Sequence, residues 1–514
     1  MKKYLSLMIC LALLAVFAVS CAGEEPTSVT ESSEEMSEAE SSAEESLPEE
    51  QSYVPDIYDG KDYAGRTFTV FSTYAESDPV FEFVYNEDLD EELLSESVNL
   101  AIKARNDKVY DKLGVEIKEE FFRSGRYGNE VLSQVRSHIS GGLDEYSLYS
   151  LCLYDCATLA TEGELYDLNG LENLNTKNPW WEQYFNDTVS IFGKLYFTIG
   201  DMTFNTMGSI HCIYYNADLI RSLGLEDPID VANAGTWTID KAIEYSKQYV
   251  NDSAEPEGRM DYKDEFGWGG QDSDAYFLLY GTGVRAFSAE DAENAVLSIN
   301  NETTINTIEK CKELMKGEWY CRGNDYFSVT SAPMDLIQDA FEEGRCMFFS
   351  HSLYRTISLD MTDEFGILPL PKYNEEQDEY YSMLSTWRSN AYCIASNLSE
   401  EDAEFSAAVL DVLGYYSWKE HGDSVCTNYY QKTLKNQKLV TEKSEAMLDL
   451  IYQSVGCDLA GIFRIGELSG NRALNDTLID IVNGVHENFT SAYEKFEPTY
   501  QADLETVLDF FRQN

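Results

Sequence analysis

Histidine is scarce in this 514-residue chain: five occur, His138, His211, His351, His421 and His486. None stands in an H-x-x-x-H or H-E-x-x-H spacing, so the usual imidazole framework for a metal is missing. No metal and no other cofactor is expected. Positive charge is scarce too. Against 92 Asp and Glu there are 37 Lys and Arg, a formal net charge of −55. A surface so acidic repels phosphate backbones and anionic headgroups, which excludes nucleic acid as a partner. The sequence has no G-x-S-x-G elbow, no P-loop and no C-x-x-C pair. Gly281-Thr-Gly283-Val-Arg-Ala286 mimics a dinucleotide fingerprint, but Asp274–Tyr280 before it reads as helix where a strand is required. No fixed-period repeat is present. After the N-terminus no stretch reaches the roughly 18 apolar residues of a membrane span.

Hydrophobic residues make up 43% of the chain and aromatics 13%, enough for sizeable cores. The length allows two or three domains. Lys2 and Lys3 precede the apolar run Leu5 to Val19, followed by Ser20-Cys21. This is the layout of an export signal over residues 1–20. Ala18-Val19-Ser20 is a small-x-small cleavage site, and Cys21 directly after it resembles the lipobox of bacterial lipoproteins, with Ala18 where that family usually has Leu. The resemblance implies a lipidated Cys21. The alternative is an ordinary secretory signal cut at the same bond. Residues 22–51 hold eleven Glu and no Lys or Arg, among Ser, Ala and Pro. Such a segment cannot bury apolar surface and is expected to be a disordered, extended tether. The expected location is the extracytoplasmic face of the cell membrane, held there by lipid.

Nine cysteines follow, most inside apolar runs, and are expected to be buried thiols. Cys311 and Cys321 are the pair to test for a disulfide.

Arg66–Thr73 is apolar and β-branched and reads as a first strand. Leu94, Val98, Ile102, Val109 and Leu113 then mark one helical face, which Gly114 should end. Val115-Glu-Ile-Lys118 alternates as a strand, Gly128–Ser140 reads as helix, and Tyr146–Tyr154 as a buried strand. This order is that of a parallel α/β sheet. The pattern recurs with strands at Gly193–Gly200, Ile210–Tyr215, Cys346–Ser350, Phe365–Leu370 and Ala391–Ala395. Helices are expected at Ala217–Leu223, after the N-cap Thr238, and at Asp335–Glu343. The last hundred residues read as mainly helical. There is too much α/β for one sheet, so two α/β lobes are expected.

Several segments together resemble the extracellular solute-binding proteins of ABC importers, in the maltose-binding-protein-like family 1. Asn99-Leu-Ala-Ile-Lys-Ala-Arg105-Asn106 resembles a first-lobe helix of one subgroup. Gly142-Leu-Asp144 through Ala160-Thr-Glu-Gly163-Glu-Leu-Tyr-Asp-Leu168 resembles "G-x-x-D … A-x-x-G-x-L-x-x-L". The most specific segment is Gly193-Lys-Leu-Tyr-Phe197, Tyr214-Tyr-Asn216, Leu223-Gly-Leu225 and Pro228. Thr236-Trp-Thr238, Ala340-Phe-Glu-Glu-Gly344-Arg-Cys-Met347 and Gly366-Ile-Leu-Pro369-Leu-Pro371 follow in the family's order.

The resemblance implies a two-lobed α/β fold with a hinge and an interlobe cleft. Lobe one would comprise 65–203 and 351–388, and lobe two 204–350 and 389–514, with crossings near 201–206, 348–352 and 387–391. It implies a monomeric, non-catalytic component that captures a sugar or oligosaccharide and delivers it to the permease subunits of an ABC transporter. Sugars offer C–H faces to aromatic rings and hydroxyls to fixed polar groups. Ligands of open α/β sheets sit at the carboxyl ends of strands. The candidate contacts are therefore Tyr74 and Glu76, Tyr154 and Asp155, Asp201 and Asn205, Trp268 and Asp272, His351 and Tyr354, and Trp387 and Arg388. Each could instead be a core ring or a solvated charge, and Trp180-Trp181 could line the cleft rim or pack a helix. A lipid-anchored glycoside hydrolase would need a carboxylate pair flanking the cleft. A carbohydrate-binding or adhesive surface protein is the third reading.

Overall fold

The computed structural model describes residues 63–73, 81–89, 94–252, 260–287, 292–439, 441–486 and 488–513. The signal, Cys21, the tether, Tyr74 and Glu76 lie outside the described residues.

Two sheets organise the body. The first is built from β1 (Thr67–Ser72), β2 (Glu116–Phe121), β3 (Leu148–Cys152) and β10 (Asn390–Cys393), in the order β10-β3-β1-β2. Its first three strands are parallel, and β10 runs antiparallel along β3. The second contains β4 (His211–Asn216), β5 (Phe266–Gly270), β6 (Tyr320–Arg322), β7 (Cys346–Ser352) and β8 (Phe365–Leu368), in the order β6-β5-β7-β4-β8. Here β5 is parallel to β6 and β7, and β4 is antiparallel to β7 and β8. A small ribbon pairs β9 (Ser382–Met383) with β11 (Val455–Gly456).

Parallel strands buried on both faces read as continuous apolar runs. All five residues of β3 and all seven of β7 are buried accordingly. The helix Glu96–Leu113 buries Val98, Ile102, Val109 and Leu113 and stops at Gly114, whose φ of 69° a side chain would resist. The Thr238 hydroxyl caps Ile239–Ser246 by accepting from the Lys241 amide. Asp274–Gly281 is helical, so Gly281 and Gly283 close a helix and do not open one.

The lobe boundaries differ from expectation. β7 pairs with β4 from Phe348 to Ser352, ending at His211 opposite Ser352, so the chain does not cross near 348–352. β8 continues the same sheet, which moves the middle of 351–388 into the second lobe. β10 pairs with β3, which moves the start of 389–514 into the first. Extended pairing overrides the resemblance because each strand's amides need a ladder partner. Gly193–Gly200 forms only isolated bridges, Thr198 to Tyr392 among them. The C-terminal helices serve both lobes: Glu400–Ser417 packs on Glu96–Leu113, whereas Leu474–Val482 packs on Asp274–Gly281.

Trp180 and Trp181 are buried against Glu400–Ser417, both indoles donating to Asp411 Oδ1 at 2.8 and 3.2 Å. They pack a helix and do not line the cleft. Cys311 and Cys321 are free, buried thiols and form no disulfide. Among the described residues no helix is long and apolar enough to cross a membrane.

Candidate functional site

The carboxyl ends of β2 and β3 in one sheet, and of β5, β6 and β7 in the other, open on a common cleft of about 1100 Å³. One wall comes from the loop after β2, with Arg126 and Tyr127, and from Tyr154, Asp155 and Thr158 just after β3. The second comes from Gln271 and Ser273 after β5, Ser331 to Asp335 after β6, and His351 with Arg355. The crossing between the sheets contributes Thr386, Trp387 and Arg388. The C-terminal helical layer adds a third wall with Phe463, Arg464, Asn475 and Asp476.

Trp387 is half-buried at the centre of a cationic, aromatic group. The Arg126 guanidinium carbon lies 5.1 Å from its ring centre and that of Arg388 5.5 Å. Arg388 also lies 5.1 Å from the Tyr354 ring. Tyr154 meets Tyr127 edge to face at 6.1 Å, takes the Arg464 guanidinium over its ring at 4.7 Å, and accepts from the Thr386 hydroxyl at 2.9 Å. Arg464 has a φ of 46°, uncommon for a residue with a side chain. Such strain persists where surrounding contacts hold it, and it clusters at ligand clamps. Here Asp476, 2.8 Å away, and Glu467 hold the guanidinium.

Asp155 is 1% exposed and accepts the Gly128 amide at 2.8 Å, anchoring the start of the helix Asn129–Ser140. Burial pushes its carboxyl up to about 7, against the pull of that hydrogen bond and of Arg136. Asp155 Oδ2 and Asn475 Oδ1 are buried acceptors without a donor among the described residues. His351 is held well below its usual range, first by burial and then by Arg355 and Arg388. His211 behind it is lowered to about 3 by burial and Arg388, and its ring stacks on Phe277 at 3.9 Å. Asp274, 3.6 Å from His211, is pushed up to about 8 by burial.

Of the sequence candidates, Tyr154, Asp155, His351, Trp387 and Arg388 meet at this cleft, and Tyr354 adjoins it through Arg388. Four are placed elsewhere. Trp268 is wholly buried inside the second lobe, its ring 5.5 Å from Phe348. Asp272 is engaged by Arg322, at 2.5 Å for one of two contacts. Asp201 accepts the Lys419 amide at 3.0 Å in a buried cluster with Glu182. Asn205 accepts the Asn390 amide at 2.8 Å and so ties two crossings together. Arg126 and Tyr127 went unread, although the strand-end rule applied to β2 would have found them. No local signal marks Arg464, which folding brings from the far end of the chain.

The buried carboxyls give a pH expectation. Glu82 and Asp274 are raised to about 8 and Asp155 to about 7, burial being the largest cause for each. The folded state therefore keeps protons that the unfolded state has lost, and stability falls as pH rises toward the folded values. The lowered histidines oppose this only below their unfolded value of 6.5. The thermal midpoint should rise as pH is lowered from about 8 to about 6.5. A midpoint flat or falling over that window, by calorimetry, contradicts these assignments.

No family model matches the chain, and no curated protein matches it. Solved structures do. An ABC substrate-binding protein from Listeria monocytogenes in complex with cycloalternan has a TM-score of 0.54 at 12% identity, covering 86% of this chain and 99% of that one. The galacto-N-biose-/lacto-N-biose I-binding protein of an ABC transporter from Bifidobacterium longum scores 0.52 at 13% identity, covering 87% and 99%. UgpB from Mycobacterium tuberculosis, in complex with glycerophosphocholine, scores 0.52 at 14% identity, covering 85% and 100%. The chain thus carries the two-lobed α/β fold that these solved structures share.

Proposed function

We propose that this protein is the substrate-binding component of an ABC importer and captures a sugar or oligosaccharide between its lobes without catalysis. One observation carries the reading. The cleft where the strand ends of both sheets converge combines the rings of Trp387, Tyr154 and Tyr127 with the donor-less acceptors Asp155 Oδ2 and Asn475 Oδ1. Rings suit the C–H faces of a sugar, and an unmet buried acceptor costs free energy until a hydroxyl donates to it. Solved proteins of this fold bind cycloalternan and lacto-N-biose. A monomer that hinges between its lobes, lipid-anchored by Cys21, would hold its ligand beside permease subunits.

A thermal-shift screen of the purified protein against mono- and oligosaccharides tests this. A ligand at a hundredfold excess over Kd should stabilise the protein by about 2.7 kcal/mol. Small-angle scattering should then show a smaller radius of gyration, because a ligand touching both lobes favours the closed form. Stabilisation by amino acids or peptides and by no saccharide would reject the reading.

Turnover is expected to be absent. A glycosidase pairs a raised acid with an ionised partner carboxylate. Asp155 resembles such an acid, but Asp335 and Asp476 on the cleft wall are each held by an arginine, at 2.7 and 2.8 Å. Product formed from a bound sugar and lost in Asp155→Asn would establish a hydrolase instead. For the anchor, Cys21→Ala should abolish fatty-acid labelling and release the protein into the medium. Labelling that persists in the variant rules lipidation at Cys21 out.

A further inference from the structure

Four carboxylates line the cleft: Asp155, Asp335, Glu467 and Asp476. Asp335 is held by Arg355 at 2.7 Å, and Glu467 and Asp476 are both held by Arg464. Asp155 has no such partner among the described residues. The arginine whose charge reaches it, Arg136, is turned to Glu162 in a two-pronged pair at 2.9 and 2.6 Å. Asp155 Oδ1 accepts the Gly128 amide at 2.8 Å, which fixes the carboxyl's orientation, and Oδ2 has no donor. Burial, the largest influence, keeps a proton on this carboxyl up to a pH of about 7.

A ligand entering the cleft can change two things at Asp155, its solvent and its hydrogen bonds. At 1% exposure there is almost no further water to remove, so the desolvation that raises the carboxyl is already complete. What a saccharide adds is a hydroxyl facing Oδ2. A hydrogen bond to an ionised carboxylate is roughly twice as strong as one to a neutral group, so the new donor favours the ionised form. The elements packed on Leu153–Thr161 bring few groups that compete for the proton. At the end of β3, Cys152 is a thiol pushed up by burial and then by Asp155 itself. β10 brings the Cys393 thiol, 3.9 Å from Cys156 Sγ. The helix Asn129–Ser140 brings Arg136, with Glu162 and Glu164 near it, and His138, held low by burial. Arg464 lies over Tyr154 with Glu467 and Asp476, and Phe489–Gln513 carries Asp509 paired with Arg512. Arg126 and Arg388 flank Trp387 on the same wall and do not titrate.

Resting on the sugar-binding reading above, we propose that capture is proton-linked: a ligand hydroxyl donates to Asp155 Oδ2, and the proton held by that carboxyl leaves to solvent as the cleft fills. The empty cleft loses this proton near pH 7 and the filled cleft at a lower pH. Affinity therefore rises with pH between those two values, levels off above the higher one, and weakens in acid.

The test is calorimetric titration of the whole purified protein with lacto-N-biose and with malto-, cello- and xylo-oligosaccharides. For the tightest binder, Kd should fall about 5–10-fold between about pH 5.5 and about pH 8.5. At about pH 7 the heats in phosphate and in Tris should differ in the sense of a proton released to the buffer. Asp155→Asn keeps an oxygen for the Gly128 amide and should bind with one Kd across the range and equal heats in both buffers. Asp274→Asn, whose carboxyl beside His211 is raised to about 8, is the control and should keep the linkage. A parent Kd flat in pH, or a proton taken up on binding, overturns this inference without the variants and leaves the sugar-binding reading standing. A pH dependence that survives in Asp155→Asn overturns it as well. A protein that binds none of these saccharides at any pH loses both.

Discussion

Trp268→Ala should lower the unfolding free energy by about 3–5 kcal/mol, the cost of emptying a large buried site, while the folded variant keeps its ligand affinity. Trp268 sits in the middle of β5, between Tyr320 of β6 and Phe348 of β7 in the strand register. Its ring is wholly buried and 5.5 Å from that of Phe348. Both neighbouring strands are pinned by their ladders, so the space cannot collapse without breaking sheet pairing. Denaturant unfolding at fixed temperature measures the loss. A variant as stable as the parent but weaker in binding would place Trp268 in the cleft, as the sequence first suggested.

Trp387→Ala should act in the opposite way. It should weaken ligand binding by about 2–4 kcal/mol, the scale of an aromatic hot spot, with only a small change in stability. Trp387 is half-buried at the crossing and touched by guanidiniums from two directions in the chain, Arg126 and Arg388. Removing the ring takes away both the stacking face and the surface that positions those two cations. Tyr110, 60% exposed on the helix Glu96–Leu113, is the matched control and should change affinity little when replaced by alanine. Equal affinities for the parent and Trp387→Ala would show that the ligand does not use this crossing.

The two tryptophans show what the sequence could and could not reveal. The apolar run of β7 and the helix ends at Gly114 and Thr238 were legible because they are local signals, whereas β5 and β6 around Trp268 went unread. Trp387 lies on the cleft wall, a position it could be given because it precedes a strand at a predicted crossing. Trp268 was misplaced because Gly267, Gly269 and Gly270 around it are poor strand formers and hide the strand it belongs to. In the structure these glycines lie within β5, where Ser246 and Ile337 approach so closely that a side chain would collide. The lobe boundaries failed for a related reason. Which sheet receives β8 and β10 depends on edges that only the folded chain presents, and no periodicity within Phe365–Leu368 or Asn390–Cys393 encodes that choice. The arginines of the cleft were visible as letters but not as a group, since their positions span residues 126 to 464.

β10 closes the first sheet against β3, with Asn390 reaching Ser150 across 240 residues of sequence. A chain synthesised amino end first must therefore deliver the whole second sheet before the first can be completed. Until then β3 presents an unpaired edge of five residues that the finished fold buries, the kind of edge that recruits foreign strands. Closing so long a loop also slows folding. The interval between completion of β3 and arrival of β10 is thus the period in which this protein most needs a foldase or an empty neighbourhood, and truncation anywhere before residue 390 leaves that interval permanent.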